Sequence, residues 1–259
     1  MTVFAKVENM AVGIFESNVA LGKAAAHDFA AIVKQAVEEH GQTLVILATG
    51  NSQLSFMHAL RDIPDIPWEQ LRVFHMDEYL GMSETHTASF RRYLREHITD
   101  IFHPLVTYGI GGDAEDVEAE IARYEALLKE FSPILCVMGI GENGHLAFND
   151  PPADFNSPKT MHIVNLDETC RNQQVGEGHF ARIQHVPTQA LSLTVPALLK
   201  PKHVMVLVPE PRKARIVKAA LEGPVTETCP ASILRTQAHV KLYLDQDSSA
   251  LLSLRELDA

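Results

Sequence analysis

Basic residues, cysteines and long apolar runs are all scarce in this sequence. Lys and Arg together number 22 against 33 Asp and Glu in 259 residues, for a formal net charge of −11. A surface that acidic argues against nucleic acid and anionic membrane as main partners, because both require a positive face that displaces counterions. It leaves room for a small anion held in a local positive pocket. The three cysteines, Cys136, Cys170 and Cys229, are widely spaced and form no C-x-x-C pair or zinc-ligand spacing, so they read as reduced thiols of a cytoplasmic protein. No run approaches the roughly 20 apolar residues of a membrane span, and the opening MTVFAKVENMAVGIF lacks a basic region followed by a long apolar stretch. Repeats, low-complexity tracts and Gly/Ser linkers are missing too, so residues 1–259 read as a single domain.

What is present is a recurring unit: a short apolar run, a loop, then an amphipathic stretch. The runs are Leu44 to Ala48, Val73 to Met76, Ile134 to Met138, His162 to Leu166, Ala190 to Val195, Val204 to Val208 and Val240 to Leu244. Most are near-continuous rather than alternating, as strands covered on both faces are. Helical patterns fall over Ala20 to Glu39 with Gly41 as its C′ residue, Gln53 to Leu60, Ser89 to His97, Val117 to Glu130 and Arg212 to Leu221. The expected fold is α/β: a mostly parallel sheet of about seven strands with helices on both faces, a Rossmann-like three-layer sandwich. Ligands of such sheets bind beyond the carboxyl ends of the strands.

Four loops at those ends carry chemistry. In Thr49-Gly50-Asn51-Ser52, Gly50 frees the backbone to turn and Ser52 can cap the following helix, whose exposed amides favour an anion such as phosphate. Asp77-Glu78-Tyr79 sets two acids at a strand end, either as a helix N-cap or solvated turn or as a general base with raised pKa, and His86 and Ser89 follow. Gly139 to Pro152 begins as a formal G-x-G-x-x-G, with Asp167 roughly where a ribose-binding acid would fall. Pro151 and Pro152 arrive too soon for the last glycine to open a dinucleotide-binding helix. What remains there is His145 between glycines, with Asn143 and Asp150 close enough to orient its imidazole. In Pro209-Glu210-Pro211-Arg212-Lys213, Lys213 opposes the dipole of the helix it opens, a cost that a bound anion would offset.

Taken together, the four loops resemble the glucosamine-6-phosphate deaminase family, a relative of the 6-phosphogluconolactonases. The resemblance runs from about Leu44 to Leu252. The family's T-G-G-[ST] loop stands as Thr49 to Ser52, and its M-D-E-Y-x-G segment as Met76 to Gly81, followed by His86 and Ser89-Phe90. Its G-x-G-x-D-G-H-x-A-F-N-E-P loop stands as Gly139 to Pro151, and later segments as Val186 to Ser192 and Arg212 to Ala214. The resemblance implies conversion of glucosamine 6-phosphate and water into fructose 6-phosphate and ammonia, with no metal and no organic cofactor. Asp77 would move the proton between C2 and C1 of the opened sugar, and His145 would assist ring opening. Thr49, Gly50, Asn51, Ser52 and Lys213 would hold the phosphate. Asn143 replaces an aspartate that orients the histidine, and Asp150 replaces a glutamate one methylene longer, both counted with the catalytic set. Glu142 is a candidate for the missing carboxylate. A phosphate-binding arginine expected before an aromatic residue is absent from Gly178-His179-Phe180, so its place falls to His179 or Arg171. Pro151 to Thr160 does not match the allosteric site of the hexameric members, and a homo-oligomer stays open.

The alternatives are a 6-phosphogluconolactonase, a galactosamine-6-phosphate isomerase suggested by Asn143, and a sugar-phosphate sensor without turnover. Regulators of the last kind need a DNA-reading segment, whereas the residues ahead of Leu44 read as one long amphipathic helix rather than a helix-turn-helix.

Overall fold

The computed structural model describes residues 2–253. Met1 and residues 254–259, the two ends of the expected domain, lie outside the described residues. The strands are β1 (Val3–Val7), β2 (Met10–Phe15), β3 (Thr43–Leu47), β4 (Leu71–His75), β5 (Asp77–Tyr79), β6 (Val106–Tyr108), β7 (Leu135–Met138), β8 (Met161–Asn165), β9 (Gln189–Leu193), β10 (His203–Val208) and β11 (Val240–Asp245). Eight of them form one sheet in the order β1-β2-β11-β10-β7-β3-β4-β6, parallel except for the β1–β2 hairpin at its edge.

The near-continuous apolar runs have the expected cause. In β3, Leu44 and Ile46 enter the core on one face of the sheet, while Val45 and Leu47 enter the core on the other. Helices Asn18–His40 and Leu54–Leu60 cover the second face with Leu21, Phe29, Val33, Phe56 and Leu60. Helices Val117–Glu130 and Ala214–Glu222 cover the first with Tyr124, Leu128, Val217 and Leu221. Full burial of a Leu or Phe is worth about 1.5–3 kcal/mol, so a strand buried on both faces gains from an unbroken run. The long first helix is held at both ends as its sequence suggests: Ser17 Oγ accepts from Ala20 N (3.2 Å), and Gly41 turns the chain out at φ 76°.

Two of the seven runs leave the parallel sheet. β8 and β9 join β5 in a separate antiparallel sheet of order β5-β9-β8. β8 turns one side to solvent, with Ile163 and Asn165 exposed, which a two-sided parallel strand could not do. The parallel core therefore keeps five of the expected runs. The remaining strands of the large sheet are β1, β2 and the three-residue β6. The expected helix over Ser89 to His97 is Phe90–Leu94 followed by a wider π-helical turn, Arg95–Thr99. Because β4, β3, β7 and β10 are adjacent and parallel, the four loops that follow them open at the same edge.

Candidate active site

The loops line an open cleft, walled among others by Thr49, Gly50, Asn51, Ser52, Asp77, His145, Glu177, His179, Arg212 and Lys213. Gly50 makes the turn after β3 at φ 95°, a conformation that favours glycine. Ser52 does not cap the helix as expected. The chain first makes a 3-10 turn over Asn51–Gln53, and Ser52 Oγ accepts from Gln53 Nε2 (2.9 Å).

Asp77 and Glu78 are neither a cap nor a solvated turn. They form β5, whose alternation gives Asp77 to the cleft and buries Glu78 completely. Glu78 accepts from Tyr79 N (3.0 Å), Phe90 N (3.2 Å), Arg91 N (3.0 Å) and Ser89 Oγ (2.9 Å), which ties the strand to the start of helix Phe90–Leu94. Burial, and then the Glu78 charge, hold the Asp77 pKa well above the ordinary carboxyl value. His86 lies outside the cleft wall and stacks on Phe180.

The small antiparallel sheet registers Asp77 against the histidine loop. Asp77 pairs with Ser192, whose Oγ accepts from Phe148 N (3.2 Å), and Asn149 Nδ2 donates to Leu193 O (2.8 Å) and Leu146 O (2.7 Å). In the loop itself His145 Nδ1 lies 3.1 Å from Asp150 Oδ1. A Cβ on Gly141 would collide with the His145 ring, so only glycine allows the imidazole to lie there. Gly144 opens no helix, and Asp167 is no ribose acid: its Oδ1 caps helix Glu168–Gly176 at Cys170 N (2.6 Å).

Asn143 acts one step away from the imidazole. Its Nδ2 donates to Asp150 Oδ1 (2.8 Å) and Asp167 Oδ2 (2.9 Å), and its Oδ1 accepts from the His145 backbone N–H (3.1 Å). Asp150 Oδ2 takes Asp167 N (2.9 Å). Burial opposes the Asp150 charge, but hydrogen bonds from His145, Asn143 and the Asp167 N–H outweigh it and lower the pKa. Glu142 does not supply a carboxylate to His145, because it pairs with Arg212 at 3.0 Å. The Cys170 thiol also lies beside Asp150. Burial and the surrounding carboxylates keep its proton on, so His145, Asp150 and Cys170 read as a hydrogen-bonded group.

At the far end Lys213 is buried at the start of helix Ala214–Glu222. Burial, and then Arg212 beside it, lower its pKa to about 8. His179 is in the wall, with Nε2 3.4 Å from Glu177 Oε2. Arg171 is not brought to the cleft wall: its Nη2 donates to the carbonyls of Ile183 (2.8 Å) and Val186 (3.0 Å). Sequence reasoning missed Glu177, and it read Arg212 only as part of a loop. Arg212 meets Glu210 at 2.6 Å, Glu142 at 3.0 Å and Glu177 at 3.0 Å. Glu177 carried no periodic or motif signal, although an acid two residues before His179 was a visible neighbour.

Residues 16–243 match the family described as glucosamine-6-phosphate isomerases/6-phosphogluconolactonase. A glucosamine-6-phosphate deaminase of Exiguobacterium sibiricum is 34% identical over 86% of this chain and 86% of its own. One of Oenococcus oeni is 35% identical over 86% of this chain and 92% of its own. Among solved structures, a monomeric glucosamine-6-phosphate deaminase superposes with a TM-score of 0.85 at 28% identity, covering 93% of this chain and 99% of that one. A 6-phosphogluconolactonase of Shewanella baltica shares the fold at TM-score 0.75 and 17% identity, with coverage of 93% and 99%. By fold, loop geometry and sequence, the chain belongs to the glucosamine-6-phosphate isomerase/6-phosphogluconolactonase family.

Proposed function

We propose that the protein converts glucosamine 6-phosphate and water into fructose 6-phosphate and ammonia. The observation that carries this reading is geometric: Asp77 and His145 line one cleft, and Asp150 lies behind the imidazole, 3.1 Å from His145 Nδ1; burial raises the Asp77 pKa, while hydrogen bonds lower that of Asp150. An aldose–ketose isomerisation needs such a division of labour. Asp77 removes the proton from C2 of the opened sugar and returns it at C1, a task suited to a carboxylate with raised proton affinity. His145, steadied by Asp150, hands a proton to the ring oxygen as the ring opens. Water then replaces the amine at C2, and ammonia leaves. The phosphate sits against the amides of Gly50 to Ser52 and the Lys213 ammonium, with His179 at its edge. Every step is a proton transfer, or an addition or elimination at carbon that a proton transfer assists: the ring C1–O bond breaks as the ring oxygen gains a proton and the C1 hydroxyl loses one, and the C2–N bond breaks after water has added. Positioned acids and bases can perform all of these. A cytoplasmic setting agrees with the unpaired state of Cys136, Cys170 and Cys229.

The test measures ammonia and fructose 6-phosphate from glucosamine 6-phosphate, ammonia and the C4-epimeric tagatose 6-phosphate from galactosamine 6-phosphate, and 6-phosphogluconate from 6-phosphogluconolactone. Turnover of the glucosamine epimer is the expected result. Preference for the galactosamine epimer revises the substrate, lactone hydrolysis alone overturns the reaction, and binding without turnover marks a sensor.

A further inference from the structure

The end of the cleft assigned to phosphate already holds an anion. Glu177 closes helix Glu168–Gly176, and its carboxylate is turned inward, its side chain only 7% exposed. Oε1 lies 3.0 Å from Arg212 Nη1 and accepts from Gln173 Nε2 (2.8 Å), while Oε2 lies 3.4 Å from His179 Nε2. A Cβ built on Gly50 would lie 3.9 Å from Oε2, so the carboxylate stands over the loop that offers its amides to an anion. Glu142 shares Arg212 Nη1 with Glu177, at 3.0 Å, and Glu210 takes Arg212 Nε at 2.6 Å. Lys213 forms no ion pair among the described residues. Burial works against the charge of Glu177, yet His179, Arg212, Gln173 and Lys213 hold its pKa down to about 2, so it is ionised wherever the enzyme works.

We propose that Glu177 sets the affinity threshold of this subsite as a resident competitor: its carboxylate holds Arg212 and stands beside His179 at the end of the cleft where a substrate phosphate must bind, leaving Lys213 as the cation there with no ion pair among the described residues. This rests on the assignment of that end of the cleft to phosphate. A phosphate dianion brought beside an ionised carboxylate meets a like charge, a juxtaposition that weakens binding unless one group yields. A sugar phosphate recovers the cost through its contacts with Asp77, His145 and the rest of the cleft. Inorganic phosphate has no such contacts and cannot. Glu177 thereby keeps the abundant small anion out while admitting the anion attached to a sugar.

The experiment measures inorganic phosphate binding by titration calorimetry, which needs no turnover, beside KM and kcat for glucosamine 6-phosphate. Glu177→Gln is expected to bind phosphate about tenfold tighter than wild type, a change of about 1.4 kcal/mol, and to lower KM more than it alters kcat. Glu177→Asp keeps the charge but draws it back by one methylene, so it gains in the same direction by less. If the glutamine variant does not fold, the aspartate variant decides. Equal or weaker phosphate binding in a folded variant overturns the proposal and makes Glu177 a positioning residue for Arg212. Tighter phosphate binding with no turnover of any sugar phosphate upholds the competitor and instead rejects the assigned reaction.

Discussion

Asp77 and Asp150 belong to the same site on different frameworks, and their surroundings treat ionisation in opposite ways. Asp77 sits on a three-residue strand with another buried acid next to it, and both effects favour its protonated form. Asp150 sits in a glycine-rich loop among donors, and His145, Asn143 and Asp167 N favour its charged form. One fold separates the proton affinities of two chemically identical groups through burial, neighbouring charge and hydrogen bonding. The contrast also appears in stability. For Asp77 the folded pKa lies above the unfolded one, so the folded state binds the proton more tightly, and stability is lost as pH rises through the folded value. For Asp150 the folded pKa lies below, so its contribution is present above the unfolded pKa and is lost as pH falls through the folded value.

The largest expected effect comes from Asp77→Asn. It removes the base, and kcat should fall by about 10³, within the range of a lost general base. The same change abolishes an ionisation that the fold disfavours, so the melting temperature at pH 7 should rise, by about 2–4 °C for each kcal/mol recovered. Asp150→Asn should lower kcat by about 10² through loss of the His145 partner. It should also lower the melting temperature, because donors from Asn143 and His145 then face an amide. Calorimetric scans of both variants check the opposite signs; shifts in the same direction would break the contrast.

Asn143 sharpens it further. From sequence alone this residue looks like a weakened version of an aspartate that orients the histidine. In the structure its amide nitrogen bridges Asp150 and Asp167, a role open only to a donor. Asn143→Asp would set three carboxylates within hydrogen-bond distance of one another. At neutral pH kcat/KM should drop about tenfold and recover partly toward acid pH, where one carboxyl takes up a proton. Gain of activity at neutral pH would restore the aspartate-deficit reading.

Much of this was legible in the sequence for local reasons. A glycine turn after a buried strand, acids at a strand end and a histidine in a glycine-rich loop each announce themselves over a few residues. The parallel core followed from runs that two-sided burial explains. The three-stranded sheet did not, because β8 and β9 are runs of the same kind and only long-range pairing with β5 separates them from the core. The Asn143 bridge depends on Asp167, 24 residues away, and the Arg212 cluster joins Glu142, Glu177 and Glu210 from three loops. Polar partners drawn from distant segments leave no periodic trace.

The smallest effect tests whether the neighbouring charge contributes to the state of Asp77 at all. Glu78 faces away from the cleft, in contact with Ser89, the Phe90 and Arg91 amides and, at 3.7 Å, the Arg91 guanidinium. Burial is the larger cause of the raised Asp77 pKa and the Glu78 charge the lesser. Glu78→Gln removes that charge, so the acid limb of the kcat/KM profile, which on the proposed mechanism reports deprotonation of Asp77, should move slightly to lower pH. The variant should also melt at lower temperature, since an amide cannot accept from every donor that Glu78 satisfies. That loss is structural and would follow any damage to the packing. The limb position reports instead the surroundings of Asp77, both its burial and the charge beside it. An unmoved limb would leave burial as the whole cause of the asymmetry between the two carboxyls.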